Sequence, residues 1–162
     1  MKVALIGVTG RVGSRLAAEL LSRGHVVTGI ARHVPADVQP GLTVLQADTT
    51  DPRSLAPCLG GQDAVISAMR FATSDPDALI AAVKDAGVKR LLVVGGAGSL
   101  EVAPGKALMD APGFPESFRA EASAGGRFLA RLKSERDLDW TFLSPSADFA
   151  PGTRTGHFRL GD

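Results

Sequence analysis

Apolar residues in this chain arrive in short, near-continuous runs rather than in alternation. Six such runs, at 3–6, 26–30, 42–46, 64–68, 91–94 and 140–143, are apolar and carry β-branched residues. A strand covered on both faces reads this way, because it has no solvent side to fill with polar residues. Between the runs the pattern changes to helical spacing. Leu16, Ala17, Leu20 and Leu21 make one apolar face, and Gly24 stands where that helix should stop. Asp51-Pro52 and Asp75-Pro76 each pair an N-capping carboxylate with a proline at the first helical position, with Gly60 and Gly87 as the expected stops. Strands alternating with helices predict a parallel sheet clothed on both faces.

Two stretches depart from this rhythm. Residues 95–115 are rich in glycine and proline and follow the fifth strand, where a doubly wound sheet carries a substrate-facing loop. The next helix, about 116–135, holds Gly125-Gly126 in its interior. Each glycine costs about 1 kcal/mol there against alanine, so close packing or a kink is expected.

The glycines near the start ask for more than a turn. Gly7, Gly10 and Gly13 follow the first strand at a spacing of three and lead into the first helix, with Thr9, Arg11 and Val12 among them. This is a variant of the dinucleotide fingerprint. One glycine makes the tight turn, one bares the backbone to a pyrophosphate, and one lets the helix pack against the strand. Helix-terminal amides then face the phosphates. An ordinary glycine-rich turn is the competing reading, and the strand-to-helix context argues against it.

At the end of the second strand an acid would bind the free ribose hydroxyls of NAD. The chain has Arg32 there, in "GIARHV", and no carboxylate before Asp37. A guanidinium suits the 2′-phosphate of NADP, and Arg11 could close on the same group. A plain surface arginine is the alternative. After the third strand, Asp48 and Thr49 fall near the expected adenine position, with a loop cap as the other reading of Asp48.

Composition narrows the picture without changing it. The 162 residues suit one domain, spanning 1–162, with a proper core; 44% are hydrophobic and 22% charged, and the net charge is +1. No global field points to nucleic acid, and no run approaches membrane-spanning length. The basic stretches Lys89-Arg90 and 127–136 read as solvated surface. The single Cys58 reads as a buried small hydrophobe and fits a reducing cytoplasm. No histidine and carboxylate share metal-ligand spacing, and no Gly-x-Ser-x-Gly elbow is present. The chain has no tyrosine.

With these residues in view, the chain resembles the atypical short-chain dehydrogenase/reductases, in the group called NmrA-like or NADH-flavin-reductase-like. The matching stretches are "LIGVTGRVGSRLAAELLSRGHVVTGIAR", "GQDAVISA", "KRLLVVGGAGSL" and "LDWTFLSPSADFAPGTRTGHFRLGD". The resemblance implies a Rossmann-type α/β sheet of order 3-2-1-4-5-6 in three layers. It puts Ala68 and Met69 beside the cofactor ribose, Gly95, Gly96 and Ala97 beside the nicotinamide ribose, and Pro145 and Ser146 near the carboxamide. Members of the group continue beyond "RLGD" with a further strand and helix, so a C-terminal cap is expected to be lacking here.

A chain without tyrosine cannot carry the wider superfamily's Tyr-x-x-x-Lys pair. The corresponding helix region offers Phe114, Phe118 and Arg119 instead. Hydride transfer to a flavin or quinone asks less of the protein, because the acceptor ring spreads the incoming charge. The expected activity is an NADPH-preferring reductase of such a small-molecule acceptor, with flavin as a candidate substrate. Alternatives are a non-catalytic redox sensor with a protein partner, and an epimerase or dehydratase. Ser99 is the candidate catalytic side chain, set against a simple turn cap. Ser144 and Ser146 read as loop-fixing, His157 as exposed, and His25 and His33 as structural.

Overall fold

The computed structural model describes residues 1–161. In chain order it shows β1 (Lys2–Ile6), α1 (Gly13–Ser22), β2 (Val26–Ala31), β3 (Leu42–Gln46), α2 (Pro52–Leu59), β4 (Ala64–Ser67), α3 (Pro76–Asp85) and β5 (Arg90–Val94). A small hairpin of β6 (Glu101–Ala103) and β7 (Lys106–Ala107) follows, then α4 (Glu116–Ser134) and β8 (Asp139–Leu143). The main sheet runs β3-β2-β1-β4-β5-β8, and every pairing in it is parallel. This is the expected order, with the sixth sheet strand renumbered by the intervening hairpin. The stretch 95–115 is thus more regular than its composition suggests: the antiparallel hairpin is flanked by short 3-10 turns at Ala97–Ser99 and Leu108–Asp110.

Strand pleating sorts the core into two layers. Ala4, Ile6, Ile30, Val65, Leu91 and Val93 face α2, α3 and α4, where they meet Leu55, Leu79, Val83, Phe128 and Leu132. Leu5, Val27 and Ala31 face the other way and pack on Ala17, Leu16 and Leu20 of α1. Central strands are buried on both faces, which is why their sequences lack alternation. Cys58 is half-buried rather than buried, packed against the first layer with its thiol 3.7 Å from the Ser54 carbonyl oxygen.

Most of the helix punctuation is as expected. Asp51 accepts from Arg53 N at 3.0 Å, and Asp75 from Asp77 N at 2.9 Å, each ahead of a proline. Gly24 and Gly87 take positive φ after α1 and α3; after α2 it is Gly61, not Gly60, that does so. The two interior glycines of α4 answer to packing. A Cβ on Gly125 would lie 3.0 Å from the Phe71 ring, and one on Gly126 3.0 Å from Met109 Cε. Phe71 in turn meets Phe128 edge-on at 5.3 Å and stacks on Phe142 at 5.7 Å. At the end remote from the glycine loop, the buried Glu135 carboxylate accepts from Arg136 N and Asp137 N and pairs with Lys84 and Arg131. Those contacts hold its carboxyl below the usual glutamate range, the Asp137 amide contributing most. They also tie α3, α4 and the approach to β8 together.

Candidate functional site

The candidate site lies at the carboxyl ends of the parallel strands, where the loops diverge. After β1 the chain turns through Gly7 at φ 81°. A Cβ there would stand 2.9 Å from the Ala68 carbonyl oxygen, and one on Gly13 2.1 Å from the Gly7 carbonyl oxygen. These two glycines are packing requirements, one against β4 and one against the loop itself. Gly10 differs: an added Cβ would meet only the Gly7 carbonyl oxygen, at 3.1 Å, and its outer side is open.

Gly10 N donates to Gly7 O, and Ser14 N donates to Gly10 O. Between them the amides of Arg11, Val12 and Gly13 have no acceptor among the described residues, and no side chain caps α1. Bare amides at the positive end of a helix, reached past a residue without a side chain, are the donor set that a phosphate takes. The loop therefore fits a dinucleotide pyrophosphate on the chemistry of its donors.

A cleft of about 720 Å³ opens beside the loop. Gly10, Arg11 and Val12 form one edge, Ala68 and Met69 come from the end of β4, and Gly95, Gly96, Ala97 and Ser99 from beyond β5. Gly7, Thr9 and Gly13 belong to the loop without lining the cleft. Pro145 and Ser146, just past β8, also lie off its wall, and Ser146 Oγ donates to the Asp148 carbonyl oxygen at 2.9 Å. Gly95 has a packing role as well, since a Cβ there would fall 2.4 Å from the Phe142 ring.

Arg32, Asp48 and Thr49 sit outside the cleft at the ends of β2 and β3. Arg32 is exposed. Asp48 Oδ1 accepts from Thr50 N at 2.9 Å and from Thr50 Oγ1 at 2.7 Å. These bonds hold its carboxyl below the usual aspartate range, with the nearby Arg32 charge adding to the effect. Asp48 is thus a loop cap. That role leaves its exposed second oxygen free for another donor.

Sequence reasoning missed most of the far wall. Phe71, Phe114, Phe118 and Phe149 line it together with Leu108 and Glu121. Glu121, on α4, accepts from Phe71 N at 2.6 Å and Ala72 N at 3.0 Å and so pins the chain leaving β4. The one available signal was the glycine pair in α4, which marks where Phe71 closes on the helix. Ser99 carries the cleft wall's hydroxyl, and neither histidine nor tyrosine lines it. His157 is exposed, as expected. Among the described residues no helix is long and apolar enough to cross a membrane.

A parallel sheet in this order, with a glycine loop feeding an uncapped helix, defines a Rossmann-type nucleotide-binding fold. The chain belongs to the NAD(P)H-binding family, whose profile matches residues 7–159. Three solved structures extend the comparison. A protein of Burkholderia pseudomallei, provisionally termed exported, is 48% identical over 98% of this chain and 78% of its own, with a TM-score of 0.87. One from Bacteroides thetaiotaomicron, provisionally termed an epimerase, is 42% identical over 98% of this chain and 76% of its own, at 0.89. One from Streptococcus pneumoniae, provisionally termed an NADH-flavin reductase, is 36% identical over 96% of this chain and 77% of its own, at 0.78. These similarities agree with the atypical short-chain dehydrogenase/reductase resemblance read from the sequence.

Proposed function

We propose that the protein is an NADPH-preferring oxidoreductase that reduces a flavin- or quinone-like acceptor. The observation that carries this reading is a largely apolar, phenylalanine-walled cleft that opens on the phosphate-type loop and offers no tyrosine or histidine as a proton donor. Such walls suit a flat ring system, and the likeness to the streptococcal protein supports the same class of acceptor.

The amides of Arg11, Val12 and Gly13 would hold the pyrophosphate, and Arg32 the 2′-phosphate. Ala68, Met69, Gly95, Gly96 and Ala97 would flank the ribose and nicotinamide end. When bound, NADPH supplies the hydride; the residues of the cleft position the two partners and exclude water between them. The missing tyrosine weighs against epimerase chemistry, despite the term given to the Bacteroides protein. A half-buried unpaired Cys58 suits a cytoplasmic enzyme.

The test is loss of NADPH absorbance with purified protein and a panel of flavins, quinones and simple secondary alcohols with NADP. Turnover is expected with at least one ring acceptor and with no alcohol. Robust oxidation of an alcohol would overturn the reading. Tight NADPH binding without turnover on any acceptor would favour a redox sensor instead.

A further inference from the structure

The cleft holds one hydroxyl, and its hydrogen bonds fix which way it can act. Ser99 Oγ lies 3.0 Å from the Gly96 carbonyl oxygen and 3.0 Å from Ser144 Oγ. A carbonyl oxygen can only accept, and Ser99 Oγ donates its single proton to that of Gly96, which Ser99 N also approaches at 3.4 Å. The Ser144 hydroxyl does not line the cleft and has no other side-chain or backbone partner among the described residues. Its proton therefore goes to one lone pair of Ser99. In this arrangement Ser99, a residue of the cleft wall, has one lone pair left to offer and no proton. Glu121, the wall's carboxylate, already takes Phe71 N and Ala72 N, and the remaining charged groups on the wall, Arg11 and Arg70, are donors.

We propose that Ser99, held in this polarity by Ser144, faces the acceptor as a hydrogen-bond acceptor and selects ring systems that present an imide- or lactam-type N–H over those presenting only carbonyls. This rests on the reductase reading above and narrows it, from flavin or quinone to flavin-like rings. Ser99 is the specificity-determining residue, and Ser144 is a positioning residue acting through it.

The test uses the full chain and two ligands of nearly equal shape: lumiflavin and its imide N-methyl derivative. Binding is read by quenching of flavin fluorescence, independently of turnover. Wild type is expected to bind lumiflavin about tenfold tighter, the scale of one hydrogen bond whose loss strands a polar group. Ser99→Ala should bring the two ligands to parity by weakening lumiflavin. Ser144→Ala should narrow the preference to about threefold on the same scale, because the Ser99 rotor is then free to turn its proton toward a carbonyl.

Equal binding of both flavins by wild type overturns the proposal while leaving the flavin-reductase reading intact. A penalty for the methyl group that persists in Ser99→Ala is steric and overturns it too. If neither flavin binds while a quinone is turned over with NADPH, the selectivity is wrong and the reductase class survives. If no acceptor binds or turns over, the reductase reading itself fails and takes the proposal with it.

Discussion

Three helices in this fold begin just after parallel strands, and they solve the same problem in two ways. The first amides of any helix lack intrahelical acceptors. At α2 and α3 the chain supplies its own, the Asp51 and Asp75 carboxylates, each followed by a proline that removes one orphan amide. At α1 it supplies no side-chain cap: Ser14 N reaches the Gly10 carbonyl oxygen, but the amide of Gly13, the first helical residue, and those of Arg11 and Val12 just before it are bare. The difference marks where stability was left incomplete within the chain. An external anion would complete α1, while Asp51 and Asp75 cap α2 and α3 from within the chain.

The largest effect should come from closing that gap with bulk. Gly13→Ala would place a Cβ 2.1 Å from the Gly7 carbonyl oxygen, a clash with backbone that no rotamer relieves. A loss of more than about 3 kcal/mol is expected, above the ordinary range for a point substitution. A urea midpoint close to that of wild type would show that loop and helix can separate, against the contacts described. Gly10→Val should act differently. Space around Gly10 is open apart from one contact at 3.1 Å, so the fold should survive. NADPH affinity should nevertheless fall at least about a hundredfold, because the side chain fills the approach to the bare amides. Calorimetry on the folded variant decides this. Unchanged affinity would mean that the amides are not the phosphate site.

How much of this was legible in sequence differs between the two halves of the site. The glycine loop was readable because its constraint is local: a strand, a fixed spacing and a helix suffice. The two Asp-Pro entries were readable for the same reason, whereas the sheet order, a matter of long-range pairing, came only from the family resemblance. The cleft's far wall was not. Phe71, Phe114, Phe118, Phe149 and Glu121 come from different segments: α4 packs against the chain leaving β4, and Phe149 joins from beyond β8. Nor could spacing show that Ser99 and Ser144, 45 residues apart, share a hydrogen bond. Asp48 was ambiguous in sequence because an aspartate after a strand suits a cap and a ligand equally. The structure shows it capping, through Thr50.

A smaller effect concerns the cofactor's far end. Arg32 is exposed, with no carboxylate within hydrogen-bonding distance of its side chain among the described residues. A charge-assisted contact is worth about 1.5–3 kcal/mol, roughly ten- to a hundredfold in affinity. NADPH should therefore bind at least about tenfold tighter than NADH, and Arg32→Ala should remove most of that gap by weakening NADPH alone. The preference should shrink with added salt, as expected of an exposed pair. A variant that keeps its preference would make Arg32 an ordinary surface residue, and the discrimination would lie elsewhere on the loop, Arg11 being the next to test.

The smallest effect tests the comparison from its finished side. Asp75 Oδ1 accepts from Asp77 N at 2.9 Å and Ala78 N at 3.3 Å. Asp75→Ala strips both bonds, yet α3 should persist, because Leu79, Ile80, Ala82 and Val83 remain buried along its inner face. Water can reach part of the exposed terminus, so the expected cost is about 1 kcal/mol, the usual value of a lost N-cap. Asp75→Asn should recover most of it, since an amide oxygen accepts the same bonds. The informative arm adds ligand. NADPH should raise the urea midpoint of wild type and of Asp75→Ala by equal amounts, because it completes α1 and has no affinity for the entry of α3. If NADPH instead repaired the Asp75→Ala deficit selectively, the two helix entries would be alternative anion sites. The distinction between a helix capped from within and one capped by its ligand would then fail.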